Sequence, residues 1–374
     1  MVIGWIPDMD ETPLALVGGR LWLPEGVRCG DIIIKEGRIA ALGEVKIPRG
    51  ARVIETRDLL IAPGLIDADH PFADDCLPPL LPGPYADRAG REAEFESAQP
   101  AAWIAAQKMA EGKRARAGAL ACLRNGVTAA VSLYTEKPAV LRATKTALIE
   151  SLELERNPEK IFKKAGKHAV AVRLADGSNW NATREFTKLE AAGGLGPHTL
   201  AMGCAGLSVE QAGRLVEAGA HLVWRPAVDR FVLGHSWPVE LIKTAGEKLL
   251  LGAGSRRDGG EGLLHTLQLA EKIGKLTPKA LIDAVTNRAA RALKIEAGAL
   301  AKGNWGDLSL WQAETLEEAL FRQGKAALQM VVVNGQVVLA RQEWCDALPN
   351  RKQLKPVTDE VDLFSVIEPP ECFT

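Results

Sequence analysis

The chain has 374 residues, of which 47% are hydrophobic and 25% are charged, and its formal net charge is -1 at pH 7. This length accommodates one barrel of about 250 residues together with a small accessory domain. The balanced charge offers no clustered basic surface for nucleic acid or for an acidic membrane. No stretch reaches about 18 uninterrupted apolar residues, and no basic start precedes an apolar run, so we expect neither a membrane span nor a secretory signal.

Six cysteines are scattered along the chain, at positions 29, 76, 122, 204, 345 and 372, and none of them forms a CxxC pair. This spacing is typical neither of a zinc ribbon nor of a disulfide framework. We therefore expect reduced thiols and a cytoplasmic location.

The predicted elements begin with a run of short strands, because residues 14–60 alternate apolar and polar side chains around glycine turns. Short apolar runs then alternate with helical stretches such as residues 101–124 and 209–219, which predicts the βα repeat of a parallel barrel. Residues 72–100 are non-periodic and contain several prolines; they form either a surface excursion or a lid over the barrel. Near the end, MVVVNGQVVL from Met330 predicts a hairpin that turns at Asn334 and Gly335.

The sequence PGLIDADHP at residues 63–71 resembles the PGLIDxHxH strand that opens the barrel of the amidohydrolase superfamily. These are metal-dependent hydrolases and deaminases that include cytosine deaminase, dihydroorotase and the triazine hydrolases. LTPKALIDAVTNRAARAL from Leu276 is similar to the last barrel helix of the superfamily, and the following GALAKGNWGDLSLW is similar to its GSLxxGxxADLVxx turn and strand. The resemblance implies an α/β fold with a (β/α)8 TIM-like barrel at residues 63–303. It also implies a small β-sandwich domain built from residues 1–62 and 304–374.

The resemblance also shows which residues of this chain stand at the metal positions of the superfamily. The two ligand histidines of the first strand correspond to Asp69 and Pro71. His70 lies between them, and the two-residue period of a strand turns it to the opposite face. On the fifth strand, a ligand histidine and the proton-carrying glutamate of the deaminase branch correspond to Arg173 and Asp176. Arginine cannot ligate a cation, so this strand offers no replacement.

The remaining strands lack ligands at the matching positions as well. Gly203, just before Cys204, stands where the sixth strand of the superfamily carries a histidine. Gly254 replaces the aspartate of the eighth strand that activates the metal-bound water, and Trp224 on the seventh replaces a histidine that contacts substrate. The reaction needs a cation that lowers the pKa of water to near 7 and a carboxylate that carries the proton. We therefore predict that the ancestral metal centre is lost.

Any ligand is expected at the C-terminal ends of the barrel strands, where this fold binds its ligands. The candidate pocket residues are Asp69, His70, Arg173, Asp176, Gly203, Cys204, Trp224, Arg225, Gly254 and Arg256, with no catalytic residue and no metal ligand assigned. The arginines suit a carboxylate or phosphate ligand, although surface pairing with Asp176, Asp229 and Asp258 explains them at least as well. Cys204 is better explained as a buried structural thiol than as a nucleophile.

Three functions remain open at this point. The favoured one is an amidohydrolase-like protein without the metal centre and without a cofactor, which binds a small ligand or a partner and does not turn it over. The first alternative is a divergent hydrolase or deaminase that acts on carbon-nitrogen bonds other than peptide bonds, with an altered zinc, iron or manganese site among Asp69, His70, Asp74 and Asp75. The further alternative is a structural subunit that supports another enzyme. Homodimerisation, common in the superfamily, is expected in each case.

Overall fold

The protein is described by a computed structural model over residues 12–77, 79, 81–87, 90–91, 93–94, 104–105, 108–132, 142–143, 147–149, 162, 169–178, 180–348, 350–357 and 360–367. Strands and helices alternate through these ranges from Leu14 to Ser365. The predicted α/β class is therefore confirmed.

The strands fall into an N-terminal, a central and a C-terminal group. The N-terminal strands are β1 (Leu14–Leu23), β2 (Gly26–Lys35), β3 (Arg38–Gly43), β4 (Arg52–Glu55) and β5 (Leu60–Pro63). The central strands are β6 (Leu65–Asp67), β7 (Val127–Ala130), β8 (Arg142–Ala143), β9 (Ala147–Ile149), β10 (Val170–Leu174), β11 (Thr199–Gly203), β12 (His221–Trp224) and β13 (Leu249–Leu251). The C-terminal strands are β14 (Leu308–Trp311), β15 (Leu328–Val333), β16 (Gln336–Arg341), β17 (Lys355–Val357) and β18 (Glu360–Ser365).

The helices lie mainly between the central strands. They are α1 (Glu111–Leu123), α2 (Trp180–Ala191), α3 (Val209–Glu217), α4 (Pro226–Leu233), α5 (Val239–Ala245), α6 (Leu263–Gly274), α7 (Pro278–Ala284), α8 (Asn287–Leu293), α9 (Leu316–Glu318) and α10 (Gln342–Cys345). Shorter turns of 3-10 helix span Phe72–Cys76, Gly246–Lys248, Arg256–Asp258, Gly324–Ala327 and Arg351–Gln353, and a π-helical turn spans Ala319–Gln323. The helix predicted from Leu276 is divided into α7 and α8, because Thr286 between them leaves the helical conformation.

The two ends of the chain build one sheet, in the order β17-β18-β16-β15-β14-β5-β1-β2-β3, with β4 paired to β1. The N-terminal strands confirm the run predicted for residues 14–60. The hairpin of β15 and β16 is confirmed as well, with Asn334 and Gly335 both at positive φ, as its tight turn requires. Strand β5 pairs with β14 and leads directly into β6, so this sheet positions the start of the central strands.

The central strands form two parallel sheets, β13-β12-β11-β10-β9 and β6-β7-β8. Ala68, just beyond β6, donates a backbone hydrogen bond to Leu251 of β13, which joins one edge of each sheet. Alternate side chains of these strands enter two separate clusters. One cluster packs against the flanking helices, and the other, which we call the inner face, includes Met202 and Val223 and packs against α8. The C-terminal ends of parallel strands lie together, so side chains beyond the inner face converge there.

Among the described residues, no helix is both long and apolar enough to cross a membrane. The described cysteines differ in their state: Cys29, Cys122, Cys204 and Cys345 are free thiols, whereas Cys76 is disulfide-bonded. The expectation that all thiols are reduced therefore does not hold for Cys76.

His221, at the start of β12, makes the fold sensitive to acid. Burial, and then the positive charges of Lys248, Arg288 and Arg291, lower its pKa from 6.5 to about 4. In the unfolded chain His221 binds a proton near pH 6.5, whereas in the folded chain it binds one only near pH 4. The free energy of unfolding therefore falls as the pH falls through this window. We expect the wild type to lose about 2 kcal/mol more than His221→Gln between pH 7 and 4.5, as measured by urea unfolding.

The exposed His235 provides the matched control, because its side chain is in solvent. His235→Gln should follow the wild-type pH dependence. An equal acid sensitivity of His221→Gln and wild type would show that His221 is not the group responsible.

Candidate functional site

Charged side chains from three central strands meet at the C-terminal end of the inner face, which we call the mouth. Asp69 follows β6, Arg173 lies in β10 and Arg225 follows β12. The two-residue period explains the two arginines, since Ala171 and Val223, each two residues earlier, lie on the inner face. All three charged side chains are buried.

The mouth is held together by ion pairs. Nη1 of Arg225 lies 3.3 Å from Oδ2 of Asp69, and Nη2 donates to Oδ1 of Asp176 at 2.7 Å. Nη1 of Arg173 approaches the same two carboxylates, at 3.6 Å from Asp69 and 3.7 Å from Asp176. Asp229 of α4 approaches Arg225 at 4.0 Å. The structure therefore brings together four sequence candidates, in buried pairs rather than in the surface pairs that were the alternative explanation of the arginines.

Burial and the neighbouring carboxylates act in opposite directions on these groups. Burial lowers the pKa of Arg225, but the negative charges of Asp176, Asp69 and Asp229 outweigh it and raise this pKa. Burial raises the pKa of Asp229 well above its ordinary value, although Arg225 opposes that shift. The guanidinium of Arg225 therefore stays protonated in the mouth, and it interacts with several acidic neighbours at once.

Two glycines stand at matched ligand positions and are closely packed. A side chain on Gly254 would bring its Cβ within 2.3 Å of Cγ2 of Val228, and Gly254 has φ +67°. Gly203 has φ +98°, and its Cβ would lie 3.1 Å from Cβ of Asp176. A side chain at 254 would therefore require the Val228 side chain of α4 to shift, and the positive φ would strain it as well.

The described part of the segment after β6 contacts α4 and the residues just beyond β10. Gly83 and Tyr85 donate backbone hydrogen bonds to Phe231 and Val232 of α4, and Asp87 bridges to Gly177 beyond β10. Arg91 forms an ion pair with the buried Asp258 at 2.8 Å, and Arg257 pairs with Asp74 at 3.6 Å. The choice between a surface excursion and a lid stays a prediction.

Trp224, Cys204 and Arg256 take no part in the ion pairs of the mouth. Trp224 faces the helices: its Nε1 donates to Ser236 at 2.9 Å, and a Cβ on Gly274 of α6 would meet its ring at 3.0 Å. Cys204 is buried in the same helix-facing cluster, and burial raises its pKa. Arg256 is exposed, and its neighbour Arg257 is the buried one. These positions differ from the expectation because a strand directs adjacent residues to opposite faces and the 256–258 turn has no readable period.

His70 lies away from Asp69, in a separate buried group behind β6. Its Nδ1 is 3.1 Å from Oδ2 of Asp67, and its Nε2 is 2.7 Å from Oδ2 of Asp75. One ligand atom each of Asp67, His70 and Cys122 lie within 4.8 Å of one another. No pattern in the sequence pointed to Cys122, since it reaches this group only through the packing of α1 on the segment after β6.

The donor set decides whether each place suits a metal ion. In the mouth, Arg173 and Arg225 stand beside the one carboxylate at a first-strand ligand position, and Gly203 and Gly254 supply no donor atom. These residues do not fit the metal centre of the superfamily. The described chain nevertheless contains a group of suitable donor atoms, behind β6, so the expectation of no cofactor is weakened there.

Comparison with known proteins agrees with the fold. Residues 258–338 match the model of the amidohydrolase family. The imidazolonepropionase of Ectopseudomonas mendocina is 25% identical over 49% of this chain and 45% of its own length. That of Brucella anthropi is 33% identical over 27% of this chain and 26% of its own length. The matched stretches thus span less than half of these curated relatives.

Solved structures are similar over most of the chain at low sequence identity. An adenosine deaminase from Xanthomonas campestris with bound zinc has a TM-score of 0.71 and 14% identity, covering 87% of this chain and 92% of its own. An atrazine chlorohydrolase from Arthrobacter aurescens, complexed with zinc, has a TM-score of 0.69 and 16% identity, covering 87% and 95%. The family match over residues 258–338 and the sequence relatives, together with this fold, support the resemblance of the chain to the amidohydrolase superfamily.

Proposed function

We propose that the mouth of this protein binds a small polar ligand without the metal-dependent hydrolysis of the amidohydrolase superfamily. The observation that carries this proposal is the pairing of the Arg225 and Arg173 guanidinium groups with Asp69, at a ligand position of the first strand. A cation placed beside Asp69 would meet two fixed positive charges within a few ångströms. At about 4 Å and an effective dielectric constant of about 20, each pair of unit charges repels by roughly 4 kcal/mol.

The polar groups of the mouth suit a polar ligand that replaces Asp69 as a partner of the arginines and donates a hydrogen bond to Asp69. Oδ1 of Asp69 is buried and accepts no hydrogen bond from the described residues, so it can accept one from a ligand. The guanidinium groups can turn from Asp69 to a ligand carboxylate or carbonyl. In this proposal residues 81–87, which are hydrogen-bonded to α4, form a lid that moves when such a ligand enters.

A second candidate is a divergent hydrolase or deaminase that acts on carbon-nitrogen bonds other than peptide bonds. The comparisons favour it over a ligand-binding protein, since the solved structures with a similar fold include a named deaminase and a named hydrolase. It would require a metal site rebuilt from acidic residues. A structural subunit is the third candidate, and a mouth closed by residues 81–87 would favour it.

We extend the proposal to the domain arrangement and surroundings of the protein. Residues 63–303 would close into a complete barrel, and residues 1–62 and 304–374 would form a composite β-sandwich, as the sheet shared by the two chain ends supports. A cytoplasmic homodimer that contacts neither nucleic acid nor a membrane remains our proposal, supported by the balanced charge.

The test combines a binding screen with an activity screen. Untagged protein, with and without added zinc, manganese or iron, is mixed with aminopurines, aminopyrimidines, hydantoins and small carboxylates. We expect at least one compound to raise the Tm of the wild type independently of added metal, and less so in Asp69→Asn. Ammonia release and ring opening should not exceed the level of Asp69→Asn.

The exposed Asp58 gives the control substitution, Asp58→Asn, which should behave as the wild type. Turnover that depends on added metal and disappears only in Asp69→Asn would overturn the proposal and establish the hydrolase.

A further inference from the structure

The buried group behind β6 is organised around His70. Asp67, His70, Asp75 and Cys122 are each buried, and they belong to the end of β6, the turn Phe72–Cys76 and helix α1. Their contacts do not involve the Asp69 side chain, which pairs with the arginines of the mouth. The group therefore stands apart from the ligand positions of the first barrel strand.

We propose that this group binds a zinc-like divalent cation through Sγ of Cys122, Nδ1 of His70 and Oδ2 of Asp67. The three residues place suitable atoms within 4.8 Å of one another, a span that a single ion can bridge at metal-ligand bond lengths of about 2.0–2.3 Å. Thiolate, imidazole and carboxylate together suit zinc, whereas magnesium and calcium prefer all-oxygen sites.

The orientation of His70 is a second observation that points to a metal. Its Nε2 lies 2.7 Å from Oδ2 of Asp75, and Oδ1 of Asp75 accepts from the backbone N of Arg256 at 2.6 Å. A ligand histidine in metal sites usually donates its other ring N–H to such a carboxylate, which fixes the ring and the tautomer. Asp75 thus acts as a positioning residue that leaves Nδ1 for the cation.

Asp67 is oriented in the same way by the backbone. Its Oδ1 accepts hydrogen bonds from the backbone N of Ala253 at 3.0 Å and of Asp69 at 3.1 Å. These bonds hold the carboxylate in place and direct Oδ2 towards His70. The two strand-end ligands are therefore positioned before any ion binds, which lowers the entropy lost on binding.

A divalent cation can replace two protons in this buried group without a change in net charge. Without metal, the group holds the thiol proton of Cys122 and the proton shared between Nδ1 of His70 and Oδ2 of Asp67. When a divalent cation binds, these two protons leave to solvent, the Sγ–metal and Nδ1–metal bonds form, and the net charge is unchanged. The ion would then connect β6, the turn Phe72–Cys76 and α1, so we assign it a stabilising role.

Cobalt substitution tests the site directly, because a thiolate ligand gives cobalt(II) a charge-transfer absorption in the near ultraviolet. Untagged wild type, Cys122→Ser and Cys204→Ser are produced in cobalt-supplemented minimal medium. Cys204 is the matched control, since it is also a buried free thiol but lies in another place. We expect about one equivalent of cobalt and the thiolate band in the wild type and Cys204→Ser, and neither in Cys122→Ser.

A second measurement does not depend on the folding of a variant. A chelator should lower the Tm of the cobalt-loaded wild type by several degrees, as removal of a stabilising ligand does. The proposed site is wrong if the wild type folds but contains no cobalt, or if the thiolate band persists in Cys122→Ser. Cobalt that survives in Cys122→Ser and is lost in Asp69→Asn would instead contradict the proposed function, so the two failures are distinguishable.

Discussion

Replacing Arg225 by alanine should lower the free energy of unfolding by about 3–5 kcal/mol, the cost of removing one partner from a buried ion pair. Asp69 and Asp229 are buried, and Asp176 is nearly so, and each approaches the Arg225 guanidinium within 4.0 Å. Arg173 approaches Asp69 at 3.6 Å and Asp176 at 3.7 Å, so it would compensate these two carboxylates only in part. The measurement is urea unfolding at pH 7, followed by circular dichroism.

Arg230, exposed on the same helix, supplies the control for losing an arginine, and Arg230→Ala should change the stability by less than about 0.5 kcal/mol. Adding Asp69→Asn to Arg225→Ala should recover part of the loss, with a coupling of about 0.5–3 kcal/mol. An Arg225→Ala protein as stable as the wild type would mean that the mouth is hydrated and open, and would remove the argument for a fixed cation there.

Replacing Trp224 by alanine should also destabilise the fold strongly, by about 3–5 kcal/mol, through the cavity that a large buried side chain leaves. The Trp224 ring lies 6.1 Å from that of Trp237, between α4 and α5, and close to Gly274 of α6, so both of these segments would lose contacts. The Trp224 side chain faces away from the mouth. We therefore expect folded Trp224→Ala protein, measured at low temperature, to bind any ligand from the binding screen with the same affinity as the wild type.

Trp180 gives a matched comparison, since its side chain is 68% exposed. Trp180→Ala should cost less than about 1 kcal/mol by the same urea assay. If fully folded Trp224→Ala protein binds the ligand more weakly than the wild type, Trp224 lines the binding site and the assignment of its side chain to the helix-facing side is wrong.

The strands and the hairpin were predictable because their signals are local. Alternation fixes which face a strand residue occupies, and Asn334–Gly335 requires a tight turn. The same alternation predicts that Asp69, Arg173 and Arg225 converge at the strand ends. It could also have separated Trp224 from Arg225, since adjacent residues of a strand point to opposite faces.

The rest of the site depends on contacts between segments that are distant in the chain. The buried arginine is Arg257 rather than Arg256, because a short 3-10 turn has no periodicity from which the inward residue can be read. Cys122 reaches His70 only through the packing of α1, and the close approach of Gly254 to Val228 depends on where α4 lies. No spacing in the sequence encodes these distances.

The most direct test of a mouth without metal is elemental analysis of the Cys122→Ser protein by mass spectrometry. The protein is produced with zinc, iron and manganese in the medium and purified without chelators or an affinity metal column. Since this variant lacks the thiol of the group behind β6, any remaining metal would report on the mouth. We predict essentially none. About one equivalent that disappears when Asp69→Asn is added would contradict the account and establish a metal centre in the mouth.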